Sequence, residues 1–200
     1  VCNAFADLYV QEADKLPGRV QEAGYRKRLL DAYPIHPEVF DRLYREWSTI
    51  PGFQRTRGVL KLMAKVIANL WETNSDHMIM PGSLPLADGD VRAEMTYLLP
   101  QGWDPVVESD IDGDGSKPQL LESEEPVFGQ IFAPRRVART IFLGSAPASA
   151  NIQERVRGLD REEILLGCLE PSQTTSVYMD ALTRLSARLF FLNVGGDANQ

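Results

Sequence analysis

One stretch near the middle of the chain carries apolar residues around almost the whole circumference of a helix. In residues 54–71, QRTRGVLKLMAKVIANLW, one apolar stripe recurs at intervals of three and four residues, and a second set lies beside it. The stripe is Leu60, Met63, Ala64, Ile67 and Trp71, and the second set is Val59, Leu62 and Val66. Only Lys61, Lys65 and the following Glu72 mark a solvent-facing side. Most of such a helix has to be covered, so we predict that it forms the centre of a helical bundle.

Prolines and helix-capping residues predict further helices on both sides of this one. The basic segment 19–33 indicates a helix that ends before Pro34, because the residue ahead of a proline is pushed out of the helical region. Residues 36–47, HPEVFDRLYREW, predict a second helix with Pro37 in its first turn. Another helix is expected over 88–99. The chain is therefore predicted to be mainly α-helical.

The last third of the chain has the order of elements found in a winged helix. A helix is expected over 127–143, followed by a loop of small residues. Asp160 then stands at an N-cap position with Glu163 three residues later, which is the capping-box pattern. A second, longer helix runs into the strand-like RLFFLNV, residues 188–194, and a glycine turn. This order predicts a small α/β winged-helix-like subdomain whose second wing strand lies near or beyond Gln200.

The acidic charge of the chain is confined to one segment. The formal net charge is −7. Residues 104–125 hold eight acidic residues against one lysine, so this segment accounts for the whole excess and the remainder is balanced. We predict an acidic linker over 104–126. It would separate a helical bundle over 1–103 from the winged-helix-like subdomain over 127–200.

The acidic segment contains the string SDIDGDGSKPQLLE, which begins like a calcium-binding EF-hand loop. Asp110, Asp112 and Asp114 alternate and Gly115 follows in the expected place. The twelfth position of such a loop needs a glutamate that supplies two oxygens to the ion, and this position is Leu121. We therefore expect a solvated acidic turn with no metal. A looser cation site formed by the three aspartates is the alternative.

Several classes of protein do not fit the sequence. No apolar run approaches the roughly 18 residues that a membrane span requires. Cys2 and Cys168 form no CxxC pair, and His36 and His77 share no metal-ligand spacing. His36 stands between two prolines, so we expect a rigid turn residue rather than a catalyst. A reducing, cytoplasmic location fits this cysteine usage, and the absence of an initiator Met and of a signal peptide indicates a piece of a longer protein.

Two arginines lie at the start of the apolar helix. Arg55 and Arg57 belong to the string FQRTRG. The positive end of a helix dipole and two guanidinium groups together make a site for an anion. Two solvent-facing arginines without a ligand are the alternative, and the spacing does not decide between them.

Five strings in the chain carry a resemblance to a known family. They are YPIHPEVFDRLYREW, PGFQRTRGVLKLMAKVI, ARTIFLGSAP, LDREEILLGCLEP and DALTRLSARLFFL. Over about residues 25–194 the chain resembles the family catalogued as domain of unknown function 499. The members are large bacterial and archaeal proteins that are predicted to be ATPases of the AAA+ superfamily. Some are encoded near DNA-modification and phage-defence genes.

The resemblance implies that this chain lies downstream of a nucleotide-binding core. An ATPase needs a phosphate-binding loop of the form GxxxxGK[S/T] and an acidic residue at a strand end for magnesium, and this chain has neither. Alone, the chain is therefore expected to be non-catalytic and to bind no cofactor. ATP and Mg²⁺ are implied for the intact protein. FQRTRG resembles the start of a helical lid whose arginine senses the γ-phosphate, with Arg57 as the first candidate and Arg55 as the second. The aspartate-glycine turn of the family implies that Asp110, Asp112 and Gly113 form a structured joint.

The winged-helix pattern also raises a nucleic-acid hypothesis. Thr174, Ser176, Arg184 and Arg188 would face a DNA or protein partner. Residues 130–200 have eight basic and seven acidic residues, which is a thin supply of cations for phosphate binding.

Two functions of different class follow from the sequence. The first is a lid and regulatory part of an AAA+-type ATPase, which couples nucleotide state to a partner or substrate, with the N-terminal ATPase core as its partner. The second is a stand-alone winged-helix adaptor that binds DNA or protein without contacting nucleotide. The sequence leaves open whether the protein forms a homo-oligomer and in which biological system, such as DNA modification or phage defence, it acts.

Overall fold

The computed structural model describes residues 1–73, 76–150 and 158–189. These residues are mainly helical, as predicted, and no β-strand occurs among them. The α-helices are α1 Cys2–Gln11, α2 Ala23–Ala32, α3 Pro37–Arg45, α4 Arg55–Thr73, α5 Gly89–Thr96, α6 Trp103–Val106, α7 Lys117–Glu124, α8 Pro126–Gly129, α9 Ala133–Ser145, α10 Arg161–Cys168 and α11 Thr175–Ser186. Short 3-10 turns cover Gly18–Gln21, Trp47–Thr49, Pro81–Ser83 and Ala146–Ala150, and a π-helix covers Val107–Asp112. A parallel β-bridge pairs Ile35 with Ile79.

The helix at the centre of the fold is α9. Its Ala133 and Val137 belong to one hydrophobic cluster, whereas its Ala138 and Phe142 belong to a second. Helices α3, α7, α10 and α11 all pack against α9. The side chain of Trp47 is fully buried and donates a hydrogen bond from Nε1 to the carbonyl of Leu143 at 2.7 Å. The division into parts at residues 103 and 126 stays a prediction.

The prediction that α4 is the centre of the bundle is wrong. The helix forms over Arg55–Thr73, but within the described residues only one side of it is buried. The buried side is Val59, Leu62, Met63 and Val66. Of the predicted stripe, Leu60, Ala64, Ile67 and Trp71 are exposed. The physical reason is that α4 lies at the edge of the fold, where α3 and α5 pack against one side of it.

Of the predicted winged-helix-like subdomain, the helices are confirmed but the α/β arrangement is not. Asp160 caps α10, because its Oδ1 accepts a hydrogen bond from the backbone N–H of Glu163 at 2.8 Å. After a turn, α11 follows, and both helices pack on α9. No winged-helix α/β subdomain is visible in the described part of the chain. Of the predicted strand, Arg188 and Leu189 follow α11 without strand structure, and the rest lies outside the described residues.

The acidic segment is folded rather than extended. It forms α6, the π-helix and α7, and the latter two pack against α9. Asp110 and Asp112 are buried, so the expectation of a solvated turn is wrong for these two residues. Gly113 has no room for a side chain, because a Cβ built there would lie 2.0 Å from the carbonyl oxygen of Glu108. The buried charges are tolerated because basic side chains bind them.

The fold also bears on the predictions about membrane spans and about the two cysteines. None of the helices in the described ranges combines the length and the apolar character that a membrane span needs. Cys2 and Cys168 are both buried, and neither forms a disulfide. Burial raises the pKa of the Cys168 thiol to about 12, so this thiol stays protonated at neutral pH. The cytoplasmic location stays a prediction.

Candidate functional site

A cavity of about 260 Å³ lies where α4 begins beside α5. The chain enters α4 through a turn in which Gly52 has a φ of 91°, a conformation that favours glycine. The cavity is lined by Phe53, Gln54, Arg57, Gly58, Lys61 and Leu62 from this turn and α4, and by Glu94, Met95, Tyr97 and Leu98 from α5 and the residues after it. The site that the sequence predicted at FQRTRG is therefore part of a concave surface.

Arg57 is the cationic group best placed to meet a ligand in this cavity. It is the third residue of α4 and is exposed. Within the described ranges, no carboxylate pairs with its guanidinium. The amide groups in the first turn of a helix lack intrahelical acceptors, so they add positive potential at the same end. Arg55 is the first residue of α4. The arrangement can hold an anion.

The opposite wall of the cavity carries a carboxylate that is already paired. Glu94 binds Lys61 at 2.8 Å and Lys65 at 3.0 Å. Burial raises the pKa of Glu94, but hydrogen bonds from the two lysines outweigh burial and hold the pKa below its ordinary value. Glu94 is therefore ionised at neutral pH. It anchors the two lysines, which leaves Arg57 as the cation without a described partner at this site.

His36 is a buried helix cap rather than a group that faces the cavity. Its Nδ1 accepts a hydrogen bond from the backbone N–H of Glu38 at 3.2 Å, and its Nε2 lies 2.8 Å from the hydroxyl of Tyr9. Burial, with smaller contributions from the charges of Arg28 and Arg19, lowers the pKa of His36 to about 3. The ring is therefore neutral at physiological pH. The YPIHPE string lies against the segment around Ile79, because Ile35 and His36 form backbone contacts there.

A network of charges next to His36 was not predicted from the sequence. Arg19 donates to Glu38 at 2.9 Å and to Glu163 at 2.5 and 2.8 Å, and Arg42 also binds Glu163. Burial raises the pKa of Glu163, but the hydrogen bond from Arg19 and the nearby arginine charges outweigh it and keep the pKa low. The string DREE indicated only the cap of α10. The partners of Glu163 are more than 100 residues away, and no local pattern identifies them.

The aspartates of the acidic segment hold three parts of the chain together. Asp112 accepts hydrogen bonds from Arg139 at 2.5 Å and from the backbone N–H of Ala87 at 2.7 Å. Asp110 accepts from Lys117 at 2.7 Å, whereas Asp114 is exposed. In the described ranges, no group of three or more His, Cys, Asp or Glu residues is arranged to hold a metal ion. The arrangement of Asp110 and Asp112 is that of a structured joint.

The candidate DNA contacts lie around α11. Thr174 and Ser176 are exposed at the start of the helix. Arg184 binds Glu125 at 2.7 Å and Asp180 at 3.2 Å. Arg188 binds Glu124 at 2.7 Å. The two arginines are therefore engaged by carboxylates, mostly from the end of the acidic segment.

The chain is similar to a catalogued protein family over most of its length. The family described as DUF499 second domain matches residues 17–183, which is most of the chain. The chain belongs to the DUF499 family. This confirms the resemblance to domain of unknown function 499. The DUF499 match includes the cavity at α4 and the joint around Asp112, and it ends within α11. Among curated proteins and solved structures, nothing matches the chain.

Proposed function

We propose that this chain is the lid-like regulatory domain of a DUF499 ATPase of the AAA+ type. In this proposal, Arg57 contacts the nucleotide held by the ATPase core, and the domain passes the nucleotide state on to a partner or substrate. The observation that carries the proposal is the position of Arg57, exposed on the first turn of α4 and facing a cavity. A guanidinium group suits this role because it stays charged and its planar fork pairs two phosphate oxygens.

The described residues fit a phosphate but not its metal. Arg57 and the first-turn amides of α4 offer donors to an anion, whereas no cluster in the described ranges offers the several oxygens that Mg²⁺ requires. The nucleotide and Mg²⁺ would therefore be held by the core, and this domain would add one arginine. When Arg57 moves, α4 carries the movement to α3 and α5, because Val59 and Leu62 are buried in the cluster that these helices share.

Replacement of Arg57 in the full-length protein tests this proposal. We expect Arg57→Ala to lower ATP hydrolysis or nucleotide affinity by about tenfold or more, because a charge-assisted contact to phosphate is lost. Arg57→Lys should keep part of the function, because the charge stays but the fork is lost. The matched control is Arg161→Ala, since Arg161 is also exposed in the first turn of a helix. Unchanged hydrolysis and unchanged affinity in Arg57→Ala would remove Arg57 from the site.

The alternative function, a stand-alone DNA-binding adaptor, requires tight binding to DNA, and the contacts of the arginines on and after α11 argue against it. We expect weak or absent binding of duplex DNA to this chain at physiological salt, because carboxylates already bind Arg184 and Arg188. Fluorescence anisotropy of a labelled duplex, measured at several salt concentrations, checks this. Tight binding that falls steeply with salt would favour the DNA function instead.

A further inference from the structure

One face of α4 is apolar and has no covering element in the described structure. Leu60, Ile67 and Trp71 are exposed to 65%, 40% and 85%, and Ala64 and Ala68 lie exposed between them. Helical spacing places these five residues along one side of a helix that is about 28 Å long. Isolated apolar residues are normal on a protein surface, but a continuous stripe of this length marks an interaction site.

The charges along this face have a definite order. Arg57 and Lys61 lie at its amino-terminal end, and Glu72 lies at its carboxyl-terminal end. Arg57 and Trp71 are separated by 14 residues, which is close to four helical turns, so they occupy the two ends of the same stripe. The small residues Ala64 and Ala68 lie between them. The face is therefore basic at one end, acidic and aromatic at the other, and lined by small side chains in the middle.

We propose that this face binds the same face of a second copy of the chain, with the two α4 helices antiparallel. A two-fold axis would pass close to Ala64, which is midway between Arg57 and Trp71, and the small side chains of Ala64 and Ala68 let two helices approach closely. The antiparallel order sets Glu72 and Trp71 of each copy against Arg57 of the other, which pairs opposite charges and stacks a guanidinium on an indole ring. A parallel pair would set like charges together, which is unfavourable.

The proposal does not depend on nucleotide binding. It rests on the apolar stripe and on the order of charges, whereas the proposed function rests on Arg57 in the cavity beside it. The two share Arg57 and Lys61, whereas Leu60, Ile67 and Trp71 do not line the cavity and can be changed while Arg57 stays in place. Failure of one can therefore be distinguished from failure of the other.

Sedimentation velocity of this chain from about 1 to about 200 μM tests the self-association. We expect a concentration-dependent dimer, and we expect Leu60→Asp to weaken it by about tenfold or more. The matched control is Leu120→Asp, because Leu120 is 50% exposed on α7, away from this face. It should leave the dimer unchanged. The proposal would be overturned if the chain is a monomer at all concentrations or if both variants weaken the dimer equally. In the first case, the apolar face of α4 would bind a different protein.

A charge exchange tests the antiparallel order. We expect Arg57→Glu to weaken the dimer, and we expect addition of Glu72→Arg to restore most of the lost affinity, because the two ends are exchanged in both copies. Circular dichroism of each variant shows that the fold is kept. A double variant as weak as Arg57→Glu alone would contradict the antiparallel arrangement.

Discussion

Replacement of Gly113 by alanine is expected to lower the free energy of unfolding by more than about 3 kcal/mol, or to prevent folding altogether. The added Cβ would meet the backbone of Glu108 at a distance that no real contact allows, and backbone atoms cannot move aside as a flexible side chain can. Its neighbour Asp112 binds Arg139 and the Ala87 amide, so a shift there also disturbs the packing on α9. Urea unfolding followed by circular dichroism measures this effect.

The control for this variant is the same change at Gly89. No atom lies within 4 Å of a Cβ built on Gly89, which is the first residue of α5. Gly89→Ala should keep the stability of the parent within about 0.5 kcal/mol, or increase it, because alanine is the better helix former. If Gly113→Ala unfolds at the same urea concentration as Gly89→Ala, the π-helix and its joint are not packed as described.

The second large effect is a loss of stability in acid that originates at His36. The folded protein holds the pKa of His36 at about 3, whereas the ordinary value is 6.5. Between these values the unfolded chain binds a proton that the folded chain does not. The stability from this group is therefore complete above pH 6.5 and is lost as the pH falls toward 3. One such proton corresponds to about 1.4 kcal/mol for each pH unit.

His36→Asn isolates this contribution from those of the carboxylates. Asparagine keeps a helix cap ahead of α3 but does not titrate, whereas Glu163 and the other acidic groups remain in both proteins. When the pH is lowered from 6.5 to 5, the free energy of unfolding of the parent should fall by about 2 kcal/mol more than that of the variant. Urea unfolding at several pH values measures it. Parallel stability curves for the two proteins would show that His36 is not held neutral by burial.

Helix positions followed from local signals, and those predictions were mostly confirmed. Pro37 stands at the first position of α3, and Asp160 caps α10, as the sequence indicated. Both signals act within one turn of a helix, so the residues that cause them are close in sequence. The start of α4 at FQRTRG was found for the same reason.

Burial was predicted less well, because it depends on distant parts of the chain. Periodicity in α4 showed apolar residues on several sides but could not show that neighbouring helices cover only the side of Val59 and Leu62. The burial of Asp112 depends on Arg139, which is 27 residues away. Charge composition alone indicated a solvated segment. Glu94 was likewise not expected at the cavity, since α5 reaches α4 through tertiary packing.

Amide hydrogen exchange in the full-length protein tests the central claim most directly. The peptide covering residues 53–61 includes the turn before α4, Arg57 and the cavity wall. If Arg57 senses the γ-phosphate, this peptide should exchange more slowly with a non-hydrolysable ATP analogue than with ADP, and Arg57→Ala should abolish the difference. If both nucleotides are shown to bind the parent protein and this peptide exchanges at the same rate with each, Arg57 does not sense the γ-phosphate.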